Sequence, residues 1–237
     1  YVDSVRFIPG QKYLLFLNPD CRLDPGALKT MLAVLENNHE VGMLGGLLVD
    51  PDGTEQGGGR RAVPTPWRSF VRAFGLARFA KRWPTLFFDV HLHKQPLPEH
   101  PIEVEAISGA CMLIRAESLA EVGPWDEGYF LHCEDLDWCM RFRRAGWKIL
   151  FVPNARIVHH QGTCSRSRPF FVEWHKHKGM IRFYRKFFRE DYPGILMLLV
   201  SFGVWMRFFA VAFYHASTQT MHRIKGITWP TEQPHNT

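Results

Sequence analysis

Five consecutive apolar residues, Tyr13 to Leu17, stop abruptly at Asn18-Pro19-Asp20, and this junction constrains the fold more than any other stretch. A short continuous apolar run is the mark of a strand buried on both faces. Proline cannot continue the hydrogen-bond ladder, so the strand ends there and polar side chains are thrown out at its carboxyl end. Asp24-Pro25-Gly26 then opens a helix through Glu36, with Asp24 as N-cap and Pro25 at the first helical position. Val41 to Val49 reads as another strand, and Asp50-Pro51-Asp52-Gly53 as a hairpin turn. Strands alternating with helices point to an α/β layered sheet.

The same alternation continues. Val104 to Arg115 reads as a strand interrupted by Ser108-Gly109-Ala110, three small residues that let something approach the backbone closely. Glu117 to Val122 is a helical turn, and Glu134 to Ala145 a helix closed by Gly146. Lys148 to Pro153 and Ala155 to His159 read as two strands. Between these blocks, Gly57 to Pro101 is rich in Gly, Pro and Arg, as expected of a long mobile or substrate-covering loop with a short helix near Trp67 to Phe79.

After Phe171 the character changes. Glu173 to Arg189 is helical, with basic residues and aromatics distributed around it. Gly194 to Tyr214 carries a single charge, Arg207, and is long enough to cross a bilayer or lie deep in one. A basic-aromatic helix leading into an apolar one suits the cytoplasmic face of a membrane. The expected division is therefore 1–172 for the α/β part, 173–215 for a basic-aromatic helix and apolar membrane-associated segment and 216–237 for a polar tail.

A chain of 237 residues with 46% apolar content can bury a real core and is not disordered. Its net charge of +6 gathers at Arg60 to Arg82 and at Lys176 to Arg189, patches that suit polyanions in general. Five cysteines without a CxxC pair argue against a zinc site or a disulfide framework and for a reduced, cytoplasmic setting. The chain starts at Tyr1 without a signal peptide, as a fragment of a longer reading frame would.

Chemistry is most legible from Leu131 to Trp147, where Glu134, Asp135 and Asp137 lie in an apolar, aromatic run. Carboxylates beside Phe130, Leu136 and Trp138 are costly to desolvate unless something pairs with them or uses them. Asp137 precedes Arg141 by one helical turn, so those two can pair. Glu134 and Asp135 have no such partner in sequence reach. A carboxylate held near an apolar wall is how a fold builds a general base.

In order along roughly residues 12 to 190 stand Leu14-Leu15-Phe16-Leu17-Asn18-Pro19-Asp20, Ser108-Gly109-Ala110-Cys111-Met112-Leu113-Ile114-Arg115 and Val122-Gly123-Pro124-Trp125-Asp126-Glu127-Gly128-Tyr129-Phe130. They are followed by Glu134-Asp135-Leu136-Asp137-Trp138-Cys139-Met140-Arg141, Ala145-Gly146-Trp147 and Val158-His159-His160-Gln161-Gly162 with Ser165. Together these blocks resemble the carboxyl-terminal part of a family 2 glycosyltransferase, of the bacterial rhamnosyltransferase-like kind. The resemblance implies the Rossmann-like α/β fold called GT-A. It implies an inverting transfer of a sugar, rhamnose or another hexose, from a nucleotide-diphosphate donor to a lipid-linked or polysaccharide acceptor in cell-envelope glycan synthesis.

Under that resemblance, Asn18-Pro19-Asp20 is similar to the family's metal-holding Asp-x-Asp motif. Asp20 is the matching ligand, Asn18 stands by the donor, and His159 completes the metal or diphosphate site. A hard divalent ion, Mg²⁺ or Mn²⁺, fits such oxygen donors, and the imidazole favours Mn²⁺. Asp135 matches the family's catalytic base, and Glu134 beside it orients the acceptor or the loop. Ser108, Gly109 and Ala110 form the floor under the sugar, and Trp125, Asp126 and Glu127 the wall. The resemblance omits the family's amino-terminal strands, so the same blocks also fit an inactive membrane-bound remnant or interaction module. A nucleic-acid partner has no recognition motif behind it.

Overall fold

The computed structural model describes residues 10–73, 76–79, 82–83, 87, 92–160 and 168–224. Along the chain come β1 (Tyr13–Leu17), β2 (Cys21–Leu23), α1 (Ala27–Asn37), β3 (Val41–Val49), β4 (Arg60–Arg61), α2 (Pro66–Ala73), β5 (Ile102–Glu103) and β6 (Ala106–Ile107). Then follow β7 (Cys111–Arg115), α3 (Ala116–Val122), α4 (Glu134–Arg144), β8 (Lys148–His159), α5 (Pro169–Phe188) and α6 (Gly194–Ile224).

A six-stranded mixed sheet runs in the order β1-β7-β3-β8-β2, with β5 also paired to β8. β7 is antiparallel to both β1 and β3, while β3 and β8 are parallel. Strands β1, β3 and β8 therefore point the same way and end at one edge, and β7 begins there. In open α/β sheets that carboxyl edge is where ligands bind. The chain passes from β1 at one side of the sheet to β2 at the other through Asn18-Pro19-Asp20 alone. Those three residues thus cross the carboxyl edge.

Side chains alternate across a strand, and the two faces receive different covers. Leu44, Leu48, Leu113, Val152 and Ile157 pack with Ala27, Met31 and Leu35, one stripe of α1. Met43, Met112, Ile114 and Phe151 pack on the opposite face with Leu136, Trp138 and Phe142 of α4 and with Phe183 and Phe187 of α5. Burying each of these large apolar side chains contributes about 1.5–3 kcal/mol. Helix α5 starts at Pro169, ahead of the expected Glu173, and its aromatic face belongs to the main core.

Several expectations are corrected. β1 matches its expected limits but lies at the sheet edge among the described strands, with Leu15 and Leu17 exposed at 37% and 39%. Leu14 and Phe16 reach the α4 core, whereas on the other face only Tyr13 meets the α1 cluster. Helix α1 is not capped by the Asp24 side chain: Gly26 takes the N-cap position with φ 84°, and Asp24 accepts from Arg156 at 3.0 Å. The two expected strands at 148–159 are one strand, because the ladder with β3 skips from Val152 to Arg156 and bulges between them.

Part of the expected mobile loop is fixed. Arg60 is 2% exposed, donates twice to Glu55, and sits over the Phe151 ring. Arg68 donates twice to Glu105. These guanidinium groups serve internal pairs, which shrinks the anion-binding patch expected from Arg60 onward. From Lys178 onward the basic and aromatic residues are segregated, whereas nearer the start of α5 Phe170, Phe171 and Trp174 are exposed. Lys178, Arg182, Arg185, Lys186 and Arg189 lie on the exposed face and Phe183, Tyr184, Phe187 and Phe188 on the buried one.

Helix α6 runs to Ile224, beyond the expected start of a polar tail; residues 225–237 lie outside the described residues. Gly194–Thr218 is long and apolar enough to cross a membrane, with mean hydropathy 2.1. Its one charge within Gly194 to Tyr214, Arg207, turns to α5 and donates to His177 Nε2 at 2.9 Å. Among the described cysteines, Cys21, Cys111, Cys133 and Cys139 are free thiols, while Cys164, Ser165 and residues 1–9 lie outside the described part.

Candidate active site

Two backbone contacts knit the carboxyl edge together. The Asn18 amide donates to Ala110 O at 2.9 Å, and the Gly109 amide donates to Asp135 Oδ2 at 3.2 Å. The segment crossing the sheet is thereby tied to the small-residue bend, and the bend to the first turn of α4. A Cβ placed on Gly109 would lie 3.3 Å from Asp135 Cβ and 3.6 Å from Trp125 Cη2, so only glycine leaves this corner uncrowded. The Ser108 hydroxyl accepts from the Ala110 amide at 3.3 Å and shapes the bend. Asn18, Ser108, Gly109, Ala110, Trp125 and Asp135 therefore share one locality, although 117 positions separate Asn18 from Asp135 in the chain.

At the other end of the site, β2 returns antiparallel to β8 with Cys21 opposite His159, which brings Asp20 beside the imidazole. His159 Nε2 is 3.4 Å from Asp20 Oδ1, and one ligand atom each from Asp20, Cys21 and His159 falls within 4.8 Å of the others. The hairpin after β3 folds back along this edge and delivers Gln56, which is buried. Gln56 Oε1 is 2.8 Å from His159 Nδ1, and its amide nitrogen donates to Asp50 Oδ1 at 2.7 Å and to His159 O at 2.6 Å.

This donor set fits a divalent cation. Because the Gln56 nitrogen faces two groups that only accept, its oxygen must accept from His159 Nδ1–H. In the neutral imidazole the lone pair of Nε2 then faces a carboxylate oxygen 3.4 Å away, an arrangement that a cation between them would relieve. Cys21 is an additional nearby donor that the sequence did not single out. Burial, with the Asp20 charge adding to it, pushes the thiol up to about 11. The oxygen and imidazole donors are the better match to Mg²⁺ or Mn²⁺.

At the α4 end, Asp135 accepts from the Leu136 amide at 2.8 Å and from Arg61 of β4 in a short ion pair. The partner that sequence spacing could not supply thus comes from 74 residues upstream. Beside it, burial and the adjacent Asp135 charge raise the Glu134 carboxyl to about 7. Among the described residues its Oε2 is buried without a hydrogen-bond partner. The approach to this turn is unusual, since His132 and Cys133 adopt φ 65° and 70°, the left-handed region that non-glycine residues avoid. Such backbone concentrates at functional sites, held in place by its surroundings.

The remaining acidic residues behave differently. Trp125 packs 4.1 Å from the Trp138 ring centroid and borders Gly109. Asp126 points to α5, where it accepts from Arg182 at 2.8 and 3.0 Å and from Lys186 at 2.6 Å. Burial works against its charge, yet the Lys186 and Arg182 hydrogen bonds outweigh it and draw the carboxyl down to about 2. Glu127 is exposed. Asp137 is fully buried, paired to Arg141 at 2.8 Å as its spacing predicts and to Lys186 at 2.6 Å.

Besides Cys21, Gln56 and Arg61 are site residues that the sequence does not single out. The hairpin signal at Asp50 to Gly53 already sends the following residues back along the edge, so Gln56 was within reach of that argument. Arg61 was grouped with a basic run, and only the tertiary fold separates it from its neighbours.

The carboxyl edge of this mixed sheet brings Asp20, His159 and Asp135 to one side of the molecule, and the comparison with known families says which family the chain falls in. Residues 4–178 match the family described as Glycosyltransferase like family 2, and the chain belongs to it. The chain is similar to an N-acetylglucosaminyl-diphospho-decaprenol L-rhamnosyltransferase of Mycobacterium tuberculosis (strain CDC 1551 / Oshkosh), at 31% identity over 66% of this chain and 50% of that protein. It is also similar to the rhamnosyltransferase WbbL of Escherichia coli (strain K12), at 27% identity over 69% of this chain and 58% of that one. The chain thus spans about half the length of the curated relatives it matches. A solved structure of GalNAc-T7 with UDP, GalNAc and Mn2+ superposes at TM-score 0.45 and 17% identity, covering 73% of this chain and 31% of that one.

Proposed function

We propose that this chain is the sugar, metal and acceptor half of a GT-A glycosyltransferase that transfers rhamnose or another hexose with inversion. The donor is a nucleotide-diphosphate sugar, and the acceptor a lipid-linked or polysaccharide glycan of the cell envelope. The observation that carries this reading is the convergence of Asp20 and His159 with Asp135 on one sheet edge, joined through Asn18, Ala110 and Gly109. The rhamnosyltransferases among its relatives support the choice of sugar and of acceptor.

In the reaction, the acceptor hydroxyl oxygen attacks the anomeric carbon from the face opposite the leaving group. The bond from that carbon to the phosphate oxygen breaks, and its electron pair leaves with the nucleoside diphosphate. Asp135 takes the hydroxyl proton on a carboxylate oxygen as the attack proceeds. Asp20 and His159 would hold a divalent ion, which supplies neutralising charge to the departing diphosphate. Gly109 and Ala110 keep the floor low enough for a sugar ring, and Trp125 presents an apolar wall. Glu134, whose carboxyl burial raises to about 7, sets the acceptor or the loop while carrying only part of a second negative charge near neutral pH.

The same chain is read as working at the cytoplasmic face of the plasma membrane. In support, α6 exposes Ile195, Leu198, Phe202, Phe209 and Phe213 on one long face while α5 exposes its basic stripe nearby.

The test is a product assay on the full-length protein with a panel of nucleotide-diphosphate sugars and membrane lipid acceptors. Asp135→Asn is expected to reduce transfer by about 10²–10⁴-fold, the range expected for losing a general base, while donor binding is retained. Unchanged turnover in that variant overturns the assignment of the base. Turnover unaffected by EDTA and by Asp20→Ala overturns the metal.

A further inference from the structure

We propose that Gln56 is a positioning residue for the metal end of the site, fixing His159 in the tautomer that leaves Nε2 as a ligand beside Asp20. The inference rests on the metal reading above and deepens it. The Gln56 side chain is buried at 3% exposure, and all its hydrogen-bonding capacity toward this corner is assigned. Its nitrogen meets the Asp50 carboxylate at 2.7 Å and the His159 carbonyl at 2.6 Å, two groups that can only accept. The amide orientation is therefore settled by chemistry. Its oxygen, 2.8 Å from His159 Nδ1, can only accept, so Nδ1 carries a proton and the neutral imidazole is the Nδ1–H tautomer.

The consequence falls on the opposite ring nitrogen. In the neutral ring Nε2 carries a lone pair on the side of Asp20 Oδ1, 3.4 Å away. Without Gln56 the neutral ring is no longer held to the Nδ1–H form, and an Nε2–H proton would point at Asp20 Oδ1 in the place of a metal. Gln56 blocks that arrangement and keeps two acceptors facing each other. Asp50 acts one step further out: it ends β3 on the same edge and holds the amide that holds the ring. Partners of this kind, which orient a ligating histidine through its other nitrogen, typically change metal affinity by about 10–100-fold when removed.

Mn²⁺ binding to the full-length protein, without any sugar donor, separates the possibilities. Free Mn²⁺ followed by electron paramagnetic resonance should show Gln56→Leu binding about 10–100-fold more weakly than wild type. The ring itself is read by ¹⁵N-detected histidine spectra of the metal-free protein, with the His159 signal assigned by its loss in His159→Ala. Wild type should show the Nδ1–H form and Gln56→Leu the Nε2–H form, a change that loss of packing alone does not produce. Because the wild-type tautomer needs no variant, the proposal stays testable even where Gln56→Leu fails to fold. An Nε2–H imidazole in wild type overturns it, as does Gln56→Leu with wild-type Mn²⁺ affinity while His159→Ala has lost binding. If Asp20→Ala and His159→Ala both bind Mn²⁺ as wild type does, the metal reading falls and takes this proposal with it.

Discussion

Gly179 of α5 lies against the backbone of His132, so close that a methyl group placed there would come within 2.9 Å of the His132 carbonyl oxygen. His132 is one of two successive left-handed residues that lead into Glu134 and Asp135. The strained approach to the candidate base is thus braced by a helix whose opposite side meets α6 through Trp174, Trp205 and Phe208. Packed backbone cannot move aside cheaply, so Gly179→Ala should displace the 132–133 turn. The expected cost is about 1–3 kcal/mol of stability, the usual penalty of overpacking. Because a shift of about 1 Å can lower a rate about 100-fold, kcat should fall by one to two orders of magnitude. Mn²⁺ affinity should not change, since Asp20 and His159 are held by β2, β8 and Gln56 instead. Denaturant unfolding, steady-state kinetics and metal titration on the same variant check the three parts.

Glu134 makes folding stability depend on pH in a defined direction. Its folded pKa of about 7 lies above the 4.5 of an unperturbed glutamate, through burial first and the Asp135 charge second. Between those two values the unfolded chain has released the proton and the folded chain retains it. Stability therefore falls as pH rises through that window, and the full penalty is present above about pH 7. A shift of this size corresponds to about 3 kcal/mol as an upper bound. Glu134→Gln should remove the slope and be more stable than wild type at pH 8, with little difference at pH 4. Urea midpoints across pH 4 to 8 measure both curves, and parallel curves would exclude the buried carboxyl as the cause.

What could be read from the chain was whatever depended on local order. β1 and β3 appear at their expected limits, and α4 begins at Glu134 and stops before Gly146, because apolar runs, helix periodicity and glycine all act within a few residues. The Asp137–Arg141 pair was legible for the same reason, being one helical turn apart. Asp20 and His159 were picked out by family resemblance, and the antiparallel return of β2 along β8 gives their proximity a physical cause. The Arg61–Asp135 pair was not legible, since its partners meet only after β4 has paired with β6. Nor was the left-handed turn at His132 and Cys133, because neither residue type announces positive φ. Leu15 and Leu17 misled for a related reason: five apolar residues predict burial, but what covers each face is decided by elements far along the chain.

The Arg61–Asp135 pair yields a second stability test. Both side chains are largely enclosed, at 25% and 15% exposure, so removing one charge leaves the other poorly solvated. Breaking a fully buried pair costs about 3–5 kcal/mol, and partial exposure here lowers the expectation to about 2–3 kcal/mol for Arg61→Gln. Asp135→Asn should be milder, because the guanidinium retains Ile107 O as an acceptor at 3.4 Å. The double variant should be more stable than the sum of the two single losses predicts, with a coupling of at least about 1 kcal/mol. Additive losses in the double-mutant cycle would show that the two charges do not depend on each other.

The proposed membrane attachment divides into an apolar and an electrostatic part that salt can separate. Phe202, Phe209 and Phe213 are exposed at 65%, 61% and 77% along α6, while Arg185 and Arg189 stand on the exposed face of α5. Insertion of aromatic side chains is insensitive to salt, whereas cations at an anionic surface contribute about 1 kcal/mol each and are screened within roughly 8–10 Å at 0.1–0.15 M salt. Replacing the three phenylalanines by aspartate should abolish sedimentation with phosphatidylglycerol-containing vesicles at every salt concentration. Arg185→Glu with Arg189→Glu should weaken binding at least tenfold in 20 mM salt and by little in 500 mM, where wild type is already screened. Full sedimentation of the triple aspartate variant would place the anchor outside α6. Equal losses for the charge-reversed protein at both salt concentrations would show that α5 contributes through packing against α6, not through its charge.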